Sequence, residues 1–339
     1  MVRPPDGLTF DWWVAILSLV FTGGLFVDGW AHNHLDTIDT FFTPWHAMFY
    51  GGFGLLVLFF AWTMVANHAK GFSWTQSVPA GYEWSIIGIA VFLVSGLGDM
   101  LWHMFFGIEV STEALLSPTH VGLATGGVLM LAGPFRAAVA RGPERMSGPA
   151  SYLPAVLSLA AVFTVLTFMT QFAPALGFYG TGPKPPQAIF ELKTDRGVVS
   201  QLFQAALMAS IILLAVRQFG TRLPAGSITL ILTINAAMMA TQGDTYWMLP
   251  GVFATGVLSD ALLYTLKPSV ARVVDFRTFA FALPSLYAAC HYLTLFALGR
   301  PVYYSVHLWA GLIVISGIIG LLLSFVALPN SSAPADMRS

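Results

Sequence analysis

The sequence predicts an all-α, polytopic membrane helix bundle of about ten transmembrane helices, with repeated Asp/His helical hairpins. Three observations predict it. Apolar residues make up 56% of the 339 and charged ones only 9%, where a soluble chain carries about 25% charged. Mean hydropathy is +0.74. The apolar residues also gather into runs of roughly 20, the length that crosses a bilayer's hydrocarbon core as a helix.

Taken in order, the expected spans cover about 11–32, 44–66, 84–106, 118–140, 151–171, 198–217, 227–249, 251–266, 274–298 and 303–327. Residues 1–328 then form one transmembrane domain, with hairpin repeats at about 11–66 and 84–140 and further hairpins to 327. The stretch 329–339, PNSSAPADMRS from Pro329, reads as a disordered cytoplasmic tail. The loop 172–197, rich in Gly and Pro, is the longest connector, either a lid or an irregular link. Asp6 and Asp11 near the first run argue against a cleavable signal. With the N-terminus inside, the outer loops hold only Lys184, Lys193, Arg196 and Arg300, against eleven basic residues inside. This bias predicts a multi-pass plasma (inner) membrane protein with both termini cytoplasmic. The net charge of −1 gives no nucleic-acid footprint, and Cys290 alone excludes a disulfide framework or a cysteine-based zinc site.

Chemistry concentrates in two stretches. In DGWAHNHLDTIDTFFTPWH, Asp28 precedes His32 by one helical turn, and Thr43-Pro44 then opens the next run with His46 behind it. Asp99, His103, Ser117-Pro118 and His120 repeat that order. A Ser or Thr before Pro is the pattern of a helix N-cap with proline at the first helical position, so each hairpin offers Asp and His from one helix and His from the other. Such a set can bind a first-row transition metal with open positions left. A carboxylate in a span costs several kcal/mol unless paired or ligated. The plainer reading pairs each Asp with its own i+4 histidine as a helix-end cap. In the predicted orientation both sets face the extracytoplasmic side.

Other polar residues carry weaker signals. His34, Asp36, Asp39, Glu109 and Glu113 lie in the turns, as partners that orient the imidazoles or as solvated turn residues. Asp244 and Met248 echo the Asp-His spacing with a thioether, a copper(I) ligand or simply core packing. His291 and His307 fall within the last two spans, about two turns deep, either completing a site or bonding within the bundle. Asp260, deep in a short span, suggests a buried partner or a proton relay.

The order Asp-x-x-Trp-His, an acidic turn, then Ser/Thr-Pro-x-His resembles the C subunit of copper membrane monooxygenases, the particulate methane and ammonia enzymes. Asp99, Trp102, His103, Ser117, Pro118 and His120 carry the likeness, and Asp28, His32 and His46 match as a second set. It covers some 20 residues per copy, and the chain departs from the pattern in its length, its doubled motif and its unequal His–His gaps. The resemblance implies copper at these residues, with zinc or iron as alternatives. It also implies a copper-dependent monooxygenase-like subunit that oxidises a small apolar or weakly polar substrate with dioxygen. Partners would be the lipid bilayer and other membrane subunits or a homo-oligomer. A zinc-dependent membrane hydrolase fits Asp/His ligation too, but lacks that group's closely spaced late His pair. A metal-ion transporter or insertion protein would use the ligands as a mouth, and a haem protein would use paired helix histidines.

Overall fold

The structure, a computed structural model, describes Pro4 and residues 7–35, 42–107, 112–173 and 184–328. The chain is all helix where a bilayer would be crossed: α1 Leu8–His34, α2 Pro44–His68, α3 Glu83–Phe106, the short α4 Thr112–Leu116, α5 Pro118–Leu131, α6 Gly133–Arg141, α7 Leu153–Met169, α8 Gln187–Phe219, α9 Ser227–Thr241, α10 Leu249–Leu266, α11 Val273–Ala297 and α12 Val306–Ala327. Among the described residues nine helical stretches are long and apolar enough to span a membrane, with α5 and α6 forming one continuous stretch, and α9 is a shorter apolar helix. The protein is therefore a multi-pass membrane protein. The expected tail 329–339 lies outside the described residues.

Two boundaries differ from the sequence expectation. The span expected at 227–249 stops at Thr241, because Asp244 takes a left-handed backbone (φ 52°) and Pro250 then opens α10 at a position that needs no amide hydrogen. The expected loop 172–197 is helical from Gln187 onward, since α8 extends its apolar run outward through a polar turn.

The bundle is assembled from hairpins, α1 on α2, α3 on α5, α9 on α10 and α11 on α12. The first two are copies of one another in packing detail. A side-chain carbon added at Gly52 of α2 would lie 2.7 Å from the Phe21 Cα of α1, and one at Gly126 of α5 would lie 2.6 Å from the Phe92 N of α3. Gly52 follows His46 by the same interval that separates Gly126 from His120, and Phe21 precedes Asp28 as Phe92 precedes Asp99. The equivalent Phe21 and Phe92 meet edge to face, 5.4 Å between ring centres. The hairpins are thus joined through matching aromatic residues. Small residues that let backbones touch are what hold helices together where lipid and side chain are equally apolar.

The opposite end of α1 carries a buried clamp. Arg141 Nη2 donates to Asp11 Oδ2 at 2.7 Å, and the Tyr82 hydroxyl donates to Asp11 Oδ1 at 2.7 Å. Burial, and then the carboxylate beside it, push the Tyr82 phenol well above its usual range, so it remains a donor at any physiological pH. Asp260 has a comparable role. Its carboxylate accepts from the amides of Ile228 and Thr229 (3.1 and 2.9 Å) and from Thr229 Oγ1 (2.6 Å), and so caps the start of α9 from the neighbouring helix. Asp260→Ala is expected to cost about 1–2 kcal/mol, the worth of a lost N-cap, read as a lower thermal midpoint in detergent. An unchanged midpoint would remove this assignment.

Candidate metal centre

Each triad is built by the same local rules. Thr43 and Ser117 precede a proline at the first helical turn, and each hydroxyl accepts the amide hydrogen of the residue three on, His46 (3.1 Å) and His120 (3.4 Å). The same hydroxyls lie 3.1 and 2.6 Å from the Nδ1 atoms of those histidines. The cap therefore fixes the ring as well as the helix, and aims Nε2 back at the aspartate.

Asp28 Oδ2 lies 3.6 Å from His46 Nε2 and 4.0 Å from His32 Nε2. In the second copy Asp99 is 3.5 Å from both His103 Nε2 and His120 Nε2. Within each triad one ligand atom from every residue lies within 4.8 Å of the others. Two ligands on a tetrahedral ion with bonds of about 2.1 Å stand roughly 3.4 Å apart, so the separations suit a metal with little adjustment. The donor set, one carboxylate and two imidazoles, suits a first-row ion.

Hydrogen bonding adds a chemical argument. His103 Nδ1 lies 3.3 Å from the Gly107 carbonyl oxygen, which can only accept. Its Nε2 faces the Asp99 carboxylate at 3.5 Å, so each nitrogen of the ring faces an acceptor. A neutral imidazole has one proton for these two acceptors, whereas a second ring proton, or a metal ion at Nε2, meets both. Asp28 Oδ1 is buried with no hydrogen-bond partner among the described residues, as expected of an atom that waits for a ligand. Asp99 is better furnished, because Thr119 Oγ1 donates to its Oδ1 at 2.9 Å.

The two triads share one end of the bundle and lie within each other's electrostatic reach. Asp28 feels the charge of Asp99, and His32 that of His103, His120 and Asp99. Tyr50, one turn below His46, feels both carboxylates, and its ring fills the space that a side chain at Gly96 would need.

The other predicted residues fall elsewhere. Asp36, Asp39 and Glu109 lie outside the described residues, and Glu113 is exposed on α4. His34 is in the last turn of α1, stacked on Trp30 and 3.4 Å from the exposed Asp244. Met248, 1% exposed, is packed in the main apolar core. The Asp244–Met248 echo therefore builds no third triad. His291 is buried in α11, whereas His307 sits exposed in the first turn of α12 and not two turns deep. Neither joins a triad. Sequence reasoning missed Thr119 and the amide network in which Asn33 Nδ2 donates to Gln242 Oε1 (3.0 Å) and Gln171 Oε1 (3.3 Å). Only the position of Thr119 beside Pro118 and His120 could have flagged it.

No protein-family model, curated protein or solved structure matches this chain. Fold and site together define a membrane-spanning helical protein with two Asp/His groups that can hold metal ions.

Proposed function

We propose that the chain is a metal-dependent membrane oxidoreductase that binds copper at Asp28/His32/His46 and Asp99/His103/His120 and oxidises a small apolar or weakly polar substrate with dioxygen. The observation that carries the metal half is that each triad brings one carboxylate oxygen and two imidazole nitrogens within 4.8 Å of one another. The resemblance of the two motifs to the C subunit of copper membrane monooxygenases supports the choice of copper and of dioxygen. Copper bound there would supply the one-electron chemistry that dioxygen requires.

The protein's own groups have definable tasks. The aspartates offset cation charge in a medium that penalises it. Thr43, Ser117 and the Gly107 carbonyl hold imidazole rings in ligating orientation. Met104, Phe105 and Phe106, all more than 70% exposed at the end of α3 beside His103, give an apolar substrate a way in from the bilayer. The distribution of Lys and Arg supports an extracytoplasmic site with both termini in the cytoplasm.

The test is elemental analysis of the purified protein beside His103→Ala and His120→Ala, followed by oxygen uptake with candidate substrates. First-row metal in the parent and less in both variants is the expected result. Metal content that is equal in all three would remove the reading. Metal without substrate-dependent oxygen uptake would leave a carrier or a hydrolase.

A further inference from the structure

Away from both triads, the seam between α8 and α11 contains polar groups that no described residue satisfies. His291 (6% exposed), Ser200 (2%) and Gln201 (5%) are all buried. Among the described residues His291 Nδ1, Ser200 Oγ and Gln201 Nε2 have no hydrogen-bond partner. Native interiors rarely leave such atoms unmet, and each costs about 1–3 kcal/mol when they do. Three at one place call for a ligand.

Helix register puts them together. Gln204 of α8 hydrogen-bonds Tyr287 of α11. Ser200 and Gln201 lie one turn from Gln204 on its face, and His291 lies one turn from Tyr287 on its face. The helices run in opposite directions, so both steps lead to the same level. A turn further on, Val198 packs against the cluster that contains Tyr292 and Tyr304, and the Tyr304 hydroxyl donates to the Thr194 carbonyl at 3.3 Å. The three unmet atoms therefore lie between a satisfied Gln204–Tyr287 pair and an aromatic cover.

The ligand's chemistry follows from theirs. Gln201 Nε2 can only donate, Ser200 Oγ can do either, and an imidazole nitrogen accepts in one tautomer. Neither α8 from Gly197 to Met208 nor α11 from Leu283 to Leu295 carries an acidic or basic residue other than His291. An ion would pay its full desolvation there, so the ligand is neutral. We propose that the α8–α11 seam is an internal water site, in which a water oxygen accepts from Gln201 Nε2 and its two O–H groups reach Ser200 Oγ and His291 Nδ1. Three hydrogen bonds to otherwise unmet groups are what a buried water ordinarily makes. His291 is then a hydrated imidazole within the membrane, not a metal ligand.

Hydroxyl-radical footprinting by X-ray radiolysis of the purified full chain tests this, because bound water delivers radicals to buried neighbours. Tyr287 is expected to label several-fold faster than Tyr82, which is equally buried but donates its hydroxyl directly to Asp11. The double variant Ser200→Ala/Gln201→Leu should cut labelling of Tyr287 and His291 several-fold while Tyr82 stays constant. Should the double variant fail to fold, Ser200→Ala alone is expected to show a smaller drop in the same direction. Tyr287 labelling no faster than Tyr82, or labelling that survives the substitutions, overturns the water site.

Discussion

Asp28→Asn will reverse its effect on stability with metal content. In protein stripped by a chelator the variant should melt at or above the parent's temperature. Asp28 is then a buried carboxylate with one oxygen unmet, facing the like charge of Asp99, and the amide removes that repulsion at almost constant shape. Once metal is added the order should invert. Binding to the folded state alone contributes RT ln(1 + [L]/Kd), about 2.7 kcal/mol per site at a hundredfold excess over Kd, and the variant loses that contribution at its first triad. Metal content should fall by about one equivalent per chain in Asp28→Ala and again in Asp99→Ala, because the triads share no ligand. Thermal midpoints with and without metal, beside elemental analysis, read all of this. A variant less stable than the parent in both conditions would make Asp28 a structural cap and end its assignment as a ligand.

The triads were readable in the chain because each depends on local spacing. Asp and His four apart share a helix face, and Ser/Thr-Pro starts the next helix three residues before a histidine, so one hairpin brings three ligands to one level. The same rule of length found the spans. It misjudged α9, because hydropathy averages across Gln242–Asp244 and cannot register a left-handed residue that ends a helix. It missed the outer turns of α8, because a helix that continues into water keeps its hydrogen bonds while losing its apolar signature.

What stayed hidden needed distances across the fold. The Asp99 partner Thr119 and the Gly107 carbonyl beside His103 Nδ1 are not features of a pattern in one dimension. The same holds for the two hairpins meeting at Phe21 and Phe92. Asp260 shows how one signal divides: a carboxylate deep in a span was a reason to expect function or a buried partner, and its place is at the start of α9 as a cap.

Asp11 makes the same point with larger energies. Arg141 and Tyr82 both donate to it at the end of the bundle away from the triads, where Asp11 and Tyr82 are buried and the Arg141 side chain is only 7% exposed. Asp11→Ala should destabilise the protein by about 3–5 kcal/mol, since it removes the carboxylate to which both Arg141 and Tyr82 donate, and breaking a buried pair costs more than the pair was worth. Asp11→Ala/Arg141→Met should recover most of that loss, because an apolar pair carries no desolvation cost. The double-mutant cycle, read by thermal or denaturant unfolding in detergent, separates the interaction from the cost of each single change. If the double variant is no more stable than Asp11→Ala alone, the clamp acts through the Tyr82 hydrogen bond or through packing, and the ion pair is incidental. Metal content at the triads should be the same in every folded member of the cycle, because the clamp fixes the foot of α1 while the ligands sit at its head.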